Sequence, residues 1–388
     1  MKTIDQVSIR QQNVASIWEM LSLQPNLTRK KLAEGTKLSL MTVTNLIDCL
    51  DKQHVLDFEW EKQADIPGRR SAGRRAELIS LCDARHAWVV LDLTDIHFRY
   101  YAMTLNAHQL PSSFVYGYDQ QLDYNINLTD FLRQVRTVID QEQKHREILG
   151  IAVVTPGPYD VSRGCIRNKR VPELNKICIR ELLRKEVGLF DYFVDEDVKF
   201  SVRAFSTMTT GNDNDMLYYL YMGEGVGGAA LYNGTVLRGR NAVAGDAAQL
   251  LMPSGESYES NLSIRAFAGA CGITDDPDMN SDQLQTAINR CALENLPVYQ
   301  EALFRAAETT SRMLHNVIWL LDPTRIILDC PFIHLYQEQF IKQVRTRLSA
   351  LLGSDLEAAE ILISPYEMRS VLLGASQLLS RKWIDRVI

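Results

Sequence analysis

The sequence predicts an α/β protein: a small N-terminal winged helix-turn-helix domain followed by a two-lobed body. Three observations predict it. The first 85 residues read as three short helices and a hairpin. Beyond Ala87, strands and helices alternate in two similar halves, the pattern of a layered α/β protein with a cleft between lobes. The charge divides at the same boundary. Residues 1–85 carry 13 Lys+Arg against 11 Asp+Glu, and the remainder carries 29 against 37, within a net charge of −6. A slightly basic head on an acidic body suits a nucleic-acid-binding head. The expected domains are 1–82, 83–195 and 196–365, with a C-terminal helix over 366–388 packing back on the first lobe.

In "NVASIWEMLSLQP", Val14, Ile17, Trp18 and Leu21 recur at helical spacing, and Pro25 ends the run. Thr28 is the expected N-cap of "RKKLAEGTK", which Gly35 is expected to break. Ser39 then caps "LMTVTNLIDCLDKQHVL". The "GTKL" turn has the length and the glycine of a helix-turn-helix. Val43, Leu46, Ile47 and Leu50 fall on the inner face of the third helix. Thr42, Thr44, Asn45 and Asp48 fall on the outer face, with Ser39 and Met41 at its start. Short hydroxyl and amide side chains near a helix N-terminus suit base edges and phosphates in a major groove. The candidate DNA contacts are therefore Ser39, Met41, Thr42, Thr44 and Asn45. "VLDFEWEKQ" and "PGRRSAGRRAELISL" read as a wing whose tip carries Arg69, Arg70, Arg74 and Arg75. The competing readings are a three-helix bundle used for protein contact and a solvated arginine linker.

In the body, "AWVVLDL", "FRYYAMTL", "ILGIAVVTPG" and "DYFVDED" read as strands. "LTDFLRQVRTVIDQEQK" and "ICIRELLRKEV" read as helices between them. "MLYYLYMG" and "GGAALYNG" open the second half, with a turn at Tyr232-Asn233-Gly234. A helix-rich stretch follows to about residue 320, then the strand "TRIILDCPF" and the closing helix "VLLGASQLLSRKWI". The glycines from Gly223 to Gly228 could cradle phosphate through exposed N–H groups or form a tight turn between strands.

No apolar run approaches the ~20 residues of a membrane span, and "MKTIDQVSIRQQN" has no signal-peptide core. No two of the seven cysteines lie within four residues of each other, so no C-x2-C metal knuckle exists. Reduced thiols, a cytoplasmic location and no membrane partner are expected.

"LGIAVVTPGPYDVSRGCI", "FVDED", "GEGVGGAALYNGTVLRGRNAVAGD", "DPTRIIL" and "LLGAS" occur in an order that resembles the ROK family (repressors, open reading frames, kinases). That family has the sugar-kinase/actin-like ATPase fold. The N-terminal winged helix and "GRRAELISL" resemble its repressor branch. The resemblance places "DLTDIHF" where family kinases carry a D-x-G-G-T phosphate loop, so both glycines are replaced and Asp95 adds a negative charge. It places Asp329, Cys330 and Pro331 where a glycine pair seats the nucleotide. Nucleotide binding and phosphoryl transfer are not expected, and no cofactor is.

The resemblance also sets the expected carbohydrate site. Asp197 falls at the catalytic aspartate, where it can still accept a hydroxyl hydrogen bond, or else act as a helix N-cap. Glu196 replaces the neighbouring asparagine. Asp246, Gln249 and Glu259 fall in the region of the family's zinc and sugar ligands. Gln249 replaces the zinc histidine and the cysteine loop is missing, so no zinc is expected and one tether of the site is lost. Gly157 and Asn168, or alternatively Asn175, complete the set. The implied function is a sugar-responsive transcriptional regulator, a repressor of carbohydrate genes. It would bind operator DNA and a small carbohydrate effector as a homodimer or dimer of dimers. The alternatives are a carbohydrate kinase with an inherited head, and a regulator that answers only to a protein partner.

Overall fold

The structure is a computed structural model describing residues 6–61, 76–95, 97–168, 171–208, 215–273, 279–353, 359–365 and 370–388. The chain forms two compact units, Met1–Asp195 with Ala375–Ile388, and Glu196–Gly374.

The first unit opens with α1 (Gln6–Leu23), which buries Val14, Ile17, Trp18 and Leu21. Thr28 caps α2 (Arg29–Thr36) by accepting from the Lys31 N–H at 3.2 Å. Ser39 caps α3 (Leu40–Asp51) by accepting from the Thr42 N–H at 3.1 Å. Gly35 does not break α2, as the sequence suggested. It lies in the last helical turn, and Lys37 ends the helix in a left-handed conformation. A Cβ at position 35 would sit 2.2 Å from the Met20 terminal methyl, so this glycine serves the close approach of α2 to α1. Val43, Leu46, Ile47 and Leu50 of α3 complete the small core. The wing is β1 (Leu56–Trp60) paired antiparallel with β2 (Glu77–Leu81). Its tip, with Arg69, Arg70, Arg74 and Arg75, lies outside the described residues.

The remainder of this unit holds β3 (His86–Asp92), β4 (Arg99–Met103), β5 (Phe114–Val115), α4 (Tyr124–Glu142) and β6 (Glu147–Thr155). The short hairpin strands β7 (Tyr159–Asp160) and β8 (Cys165–Ile166), then α5 (Ile179–Glu186) and β9 (Tyr192–Glu196), follow. The sheet order is β5-β4-β3-β6-β9, with β3–β4 antiparallel and β3–β6 parallel. α4 starts at Tyr124, one turn before the expected Leu128, because Tyr124 and Asn127 are buried as well.

The second unit holds α6 (Asp197–Ser201), β10 (Met216–Met222), β11 (Val226–Tyr232), β12 (Thr235–Val236), α7 (Glu259–Leu262) and α8 (Ile264–Ala270). These are followed by α9 (Ser281–Leu293), α10 (Pro297–Leu321), β13 (Arg325–Asp329), α11 (Gln337–Leu352), β14 (Glu360–Ile363) and α12 (Ser370–Val387). The sheet order β12-β11-β10-β13-β14 repeats that of the first sheet in chain order. Asn233 (φ 46°) and Gly234 (φ 74°) form the two-residue turn between β11 and β12, where Tyr232 faces Thr235. Positive φ at both positions is the hairpin geometry that matches strand twist.

From Ala375 onward, α12 belongs to the first unit. There Trp383 packs tilted at 5.4 Å from Trp18 of α1, which lies 6.4 Å from Trp88 of β3. All three rings are at most 5% exposed. Gln11 of α1 donates to the Asp385 carbonyl at 3.0 Å, and Arg386 pairs with Asp191. The head thus shares a core with the first sheet and the C-terminal helix. Among the described residues, no helix is long and apolar enough to cross a membrane.

Candidate functional sites in the head and the body

In the head, capping dictates where α3 begins and which atoms face outward. Ser39 Oγ lies 2.8 Å from Thr42 Oγ1, and Thr44 Oγ1 donates back to the Leu40 carbonyl at 2.9 Å. These hydroxyls are engaged locally but retain lone pairs. Met41 is 76% exposed, and Asn45 and Asp48 also face solvent. Lys30, Lys31, Lys37 and Lys52 are exposed around them. Sequence reading missed Arg29. Its guanidinium pairs with Glu77 of β2, lies 3.8 Å from Asp48 of α3 and sits over the Phe58 ring of β1 at 5.9 Å. It therefore fixes α2, α3 and the wing together. Only the basic start of α2 hinted at it.

In the first unit, Gly157 and Asn168 are brought together. Asn168 Nδ2 donates to the Gly157 carbonyl at 2.6 Å, and its Oδ1 accepts from the Val171 N–H at 3.0 Å. Asn175 accepts from the Asn168 N–H at 2.7 Å and donates to its carbonyl at 3.0 Å. The two asparagines, alternatives in the sequence, act jointly to shape this turn. Beside them, Asp160 accepts from the Ser162 hydroxyl at 2.6 Å and lies 3.3 Å from Arg167. The Ser162 bond leads the effects that hold its carboxyl below the usual carboxylate range.

In the second unit, Glu196 is the buried N-cap residue of α6, and Asp197 is its first helical residue rather than the cap. Asp197 Oδ1 accepts from the Val198 N–H at 2.8 Å. Lys199, one helical turn on, pairs with Glu196 and donates to the Ala242 carbonyl. Asp246 accepts from the Ala248 N–H at 3.1 Å, and burial raises its pKa above the usual value. Gln249 Nε2 donates to Glu259 Oε2 at 2.6 Å. Met252 N–H donates to the Glu256 carbonyl at 2.8 Å inside the intervening hairpin. The segment expected to lose a metal tether is thus closed by hydrogen bonds. Among the described residues, no three His, Cys, Asp or Glu side chains are grouped to hold a metal ion, and Gln249 is a poor zinc ligand beside thiolate or imidazole.

The three regions compared with nucleotide-binding loops each have a different local structure. Between β3 and β4, Asp92 accepts from the Thr94 hydroxyl at 2.6 Å, while Arg99 lies 3.3 Å from Asp92 and 3.2 Å from Asp95. Asp95 is therefore not a lone negative charge. Burial raises its pKa and Arg99 opposes that rise. Between β10 and β11 only 223–225 form the turn, with the Gly223 N–H bonded to the Gly225 carbonyl at 2.9 Å. Gly227 and Gly228, expected in the loop, pair with Tyr221 and Leu220 as strand residues. After β13, Asp329 is 4% exposed and accepts from the Tyr219 hydroxyl at 2.8 Å, while Ser370 Oγ bonds Ser201 Oγ at 3.2 Å. The chain then enters a short 3-10 turn over Pro331–Tyr336.

A repeated five-stranded order behind a winged helix defines a class, the two-lobed α/β proteins with an N-terminal winged helix. The ROK family profile matches residues 119–382, well over half of the chain, and the protein belongs to the ROK family. A crystal structure described as a ROK family transcriptional regulator, a homolog of the E. coli Mlc protein, superposes over 98% of both chains. The TM-score is 0.69 at 15% identity. A ROK hexokinase from Thermus thermophilus covers 75% of this chain and 97% of its own, with TM-score 0.59 and 21% identity. A Streptococcus pneumoniae ROK protein, solved with sucrose, covers 76% of this chain and 98% of its own, with TM-score 0.60 and 19% identity. An uncharacterized Clostridium perfringens protein is 22% identical over 199 residues, 51% of this chain and 66% of that relative's length.

Proposed function

We propose that this chain is a transcriptional repressor of carbohydrate uptake or catabolism genes, with a ROK body that senses a carbohydrate. The observation that carries the reading is the head. A capped α3 presents Met41 and Asn45 to solvent beside a wing, in a chain whose likeness to a ROK regulator extends over 98% of its length. Ser39, Met41, Thr42, Thr44 and Asn45 enter the major groove, and Arg69, Arg70 and Arg74 of the wing meet the backbone or minor groove. A homodimer, or a dimer of dimers, places two α3 helices on a palindrome with half-sites about 34 Å or a multiple apart.

The effector is a small carbohydrate met by Gly157, Asn168, Glu196, Asp197, Asp246, Gln249 and Glu259. It changes DNA affinity only insofar as it binds one state of the dimer more tightly than the other. The likeness of the body to ROK hexokinases and glucokinases favours a second reading, a carbohydrate kinase. The Asp92–Arg99–Asp95 cluster, the narrow 223–225 turn and the Asp329-Cys330-Pro331 exit weigh against it, since the first and last place carboxyl groups where a triphosphate would lie and the Gly223 N–H of the turn is already bonded to Gly225.

Selection of bound fragments from genomic DNA tests the repressor reading. A two-half-site sequence should be enriched, and Asn45→Ala should abolish the enrichment. Sequence-independent binding that vanishes with moderate salt would refute it.

A further inference from the structure

Among the described residues, Lys199 is the only buried lysine or arginine, at 1% exposure. A buried ammonium persists only where fixed acceptors replace its water. Its Nζ donates to Glu196 Oε1 and to the Ala242 carbonyl. These two acceptors come from different segments. Glu196 caps α6, and Ala242 lies in the irregular loop that follows β12. That loop is left-handed at Gly239 (φ 65°), Ala242 (φ 60°) and Gly245 (φ 89°). Such a path has few regular backbone bonds to hold it; two of them are Ala244 N–H to Arg238 carbonyl and Asp246 N–H to Val243 carbonyl, both 3.1 Å. An alanine kept at positive φ is strained and is held by its surroundings. The same ammonium acts on Asp246, opposing the effect of burial on that carboxyl.

We propose that Lys199 is the positioning residue of the effector site: it holds Glu196 as an internal partner and sets the 238–246 loop that carries Asp246, so that ligand hydroxyls are met by Asp197 and Asp246 rather than by Glu196. This rests on the reading of these acidic residues as a carbohydrate site, and it narrows that site. With Glu196 engaged internally, the side chains left to the ligand are carboxyl acceptors, which suits a polyol that offers hydroxyl donors.

Hydrogen exchange on the full chain tests this in wild type, Lys199→Met, Glu196→Gln and the double variant, which removes both members of the pair and so keeps the comparison open should Lys199→Met unfold. Peptides covering 238–246 should exchange about tenfold faster or more in Lys199→Met and in the double variant, with the β10–β11 hairpin unchanged. Glu196→Gln should keep the slow exchange, since the bond to Ala242 survives. Affinity for whichever of glucose, N-acetylglucosamine and sucrose binds the wild type should fall about tenfold or more in Lys199→Met. Wild-type exchange in the loop of the double variant would overturn the proposal. So would loosening spread through the whole unit, or a sugar affinity unchanged in Lys199→Met. Failure of glucose, N-acetylglucosamine and sucrose to bind the wild type would remove the carbohydrate reading instead, and exchange would still decide the place of Lys199.

Discussion

Trp18→Ala tests whether the head and the first sheet share one core. Trp18 is 3% exposed and packs on Trp383 at 5.4 Å and Trp88 at 6.4 Å, so truncation removes a large ring between two others that cannot close the gap. Substitutions of this kind cost about 3–5 kcal/mol. With a urea dependence of about 2–3 kcal/mol per molar, the midpoint of the first unit should fall by roughly 1–2.5 M. The assay is urea unfolding followed by tryptophan fluorescence. Trp60→Ala serves as control. Trp60 is 57% exposed on the wing, so its loss should stay within about 0.5 kcal/mol. A shift for Trp18→Ala no larger than that of the control would refute the shared core. Unfolding of the head alone, with the Trp88 and Trp383 signals intact, would refute it equally. The shared core matters for the proposed function, since an effector-sensing repressor needs its head coupled to its body.

Three further outcomes follow from named contacts. Gly374→Ala would place a Cβ 1.7 Å from the Phe200 carbonyl oxygen, so α12 must lift from α6; a loss of about 1–3 kcal/mol is expected from overpacking, and an unchanged urea midpoint would contradict the contact. Burial raises the native pKa of Asp246, so its contribution to stability is complete below the unfolded value and is lost as pH rises through the native one. Asp246→Asn should therefore raise Tm more at pH 7 than at pH 4, and the reverse order would show that the carboxylate is stabilised in place. Ser39→Ala removes the cap of α3 and should cost about 1 kcal/mol in the head, with weaker DNA binding alongside; a binding loss without a stability loss would make Ser39 a contact only.

Much of this fold is legible because its signals are local. Thr28 and Ser39 announce their helices by capping, and Val43, Leu46, Ile47 and Leu50 by spacing. Asn233-Gly234 announces its turn by the φ it requires. α11 and β14 were not read: α11 is rich in polar residues, and β14 is four residues long. Gly35 misled because an intrinsic helix breaker was retained for its contact with Met20. In the candidate sites, residue types were visible while pairings were not. Arg29 with Glu77 and Lys199 with Ala242 join residues 48 and 43 apart in the chain, and Asn168 with Gly157 and Gln249 with Glu259 join residues across turns of 11 and 10; no helical or strand period encodes such partners. Asp95 read as a repelling charge because its partner Arg99 belongs to the next strand.

On the proposed reading, this ROK body meets a carbohydrate but does not turn over a nucleoside triphosphate. ADP release by the purified full chain, incubated with MgATP and a panel of hexoses and amino sugars, tests it most directly. No sugar-dependent release above background is expected for any member of the panel. Sugar-dependent turnover at about 1 s⁻¹ or faster, the ordinary range of enzymes, would contradict it.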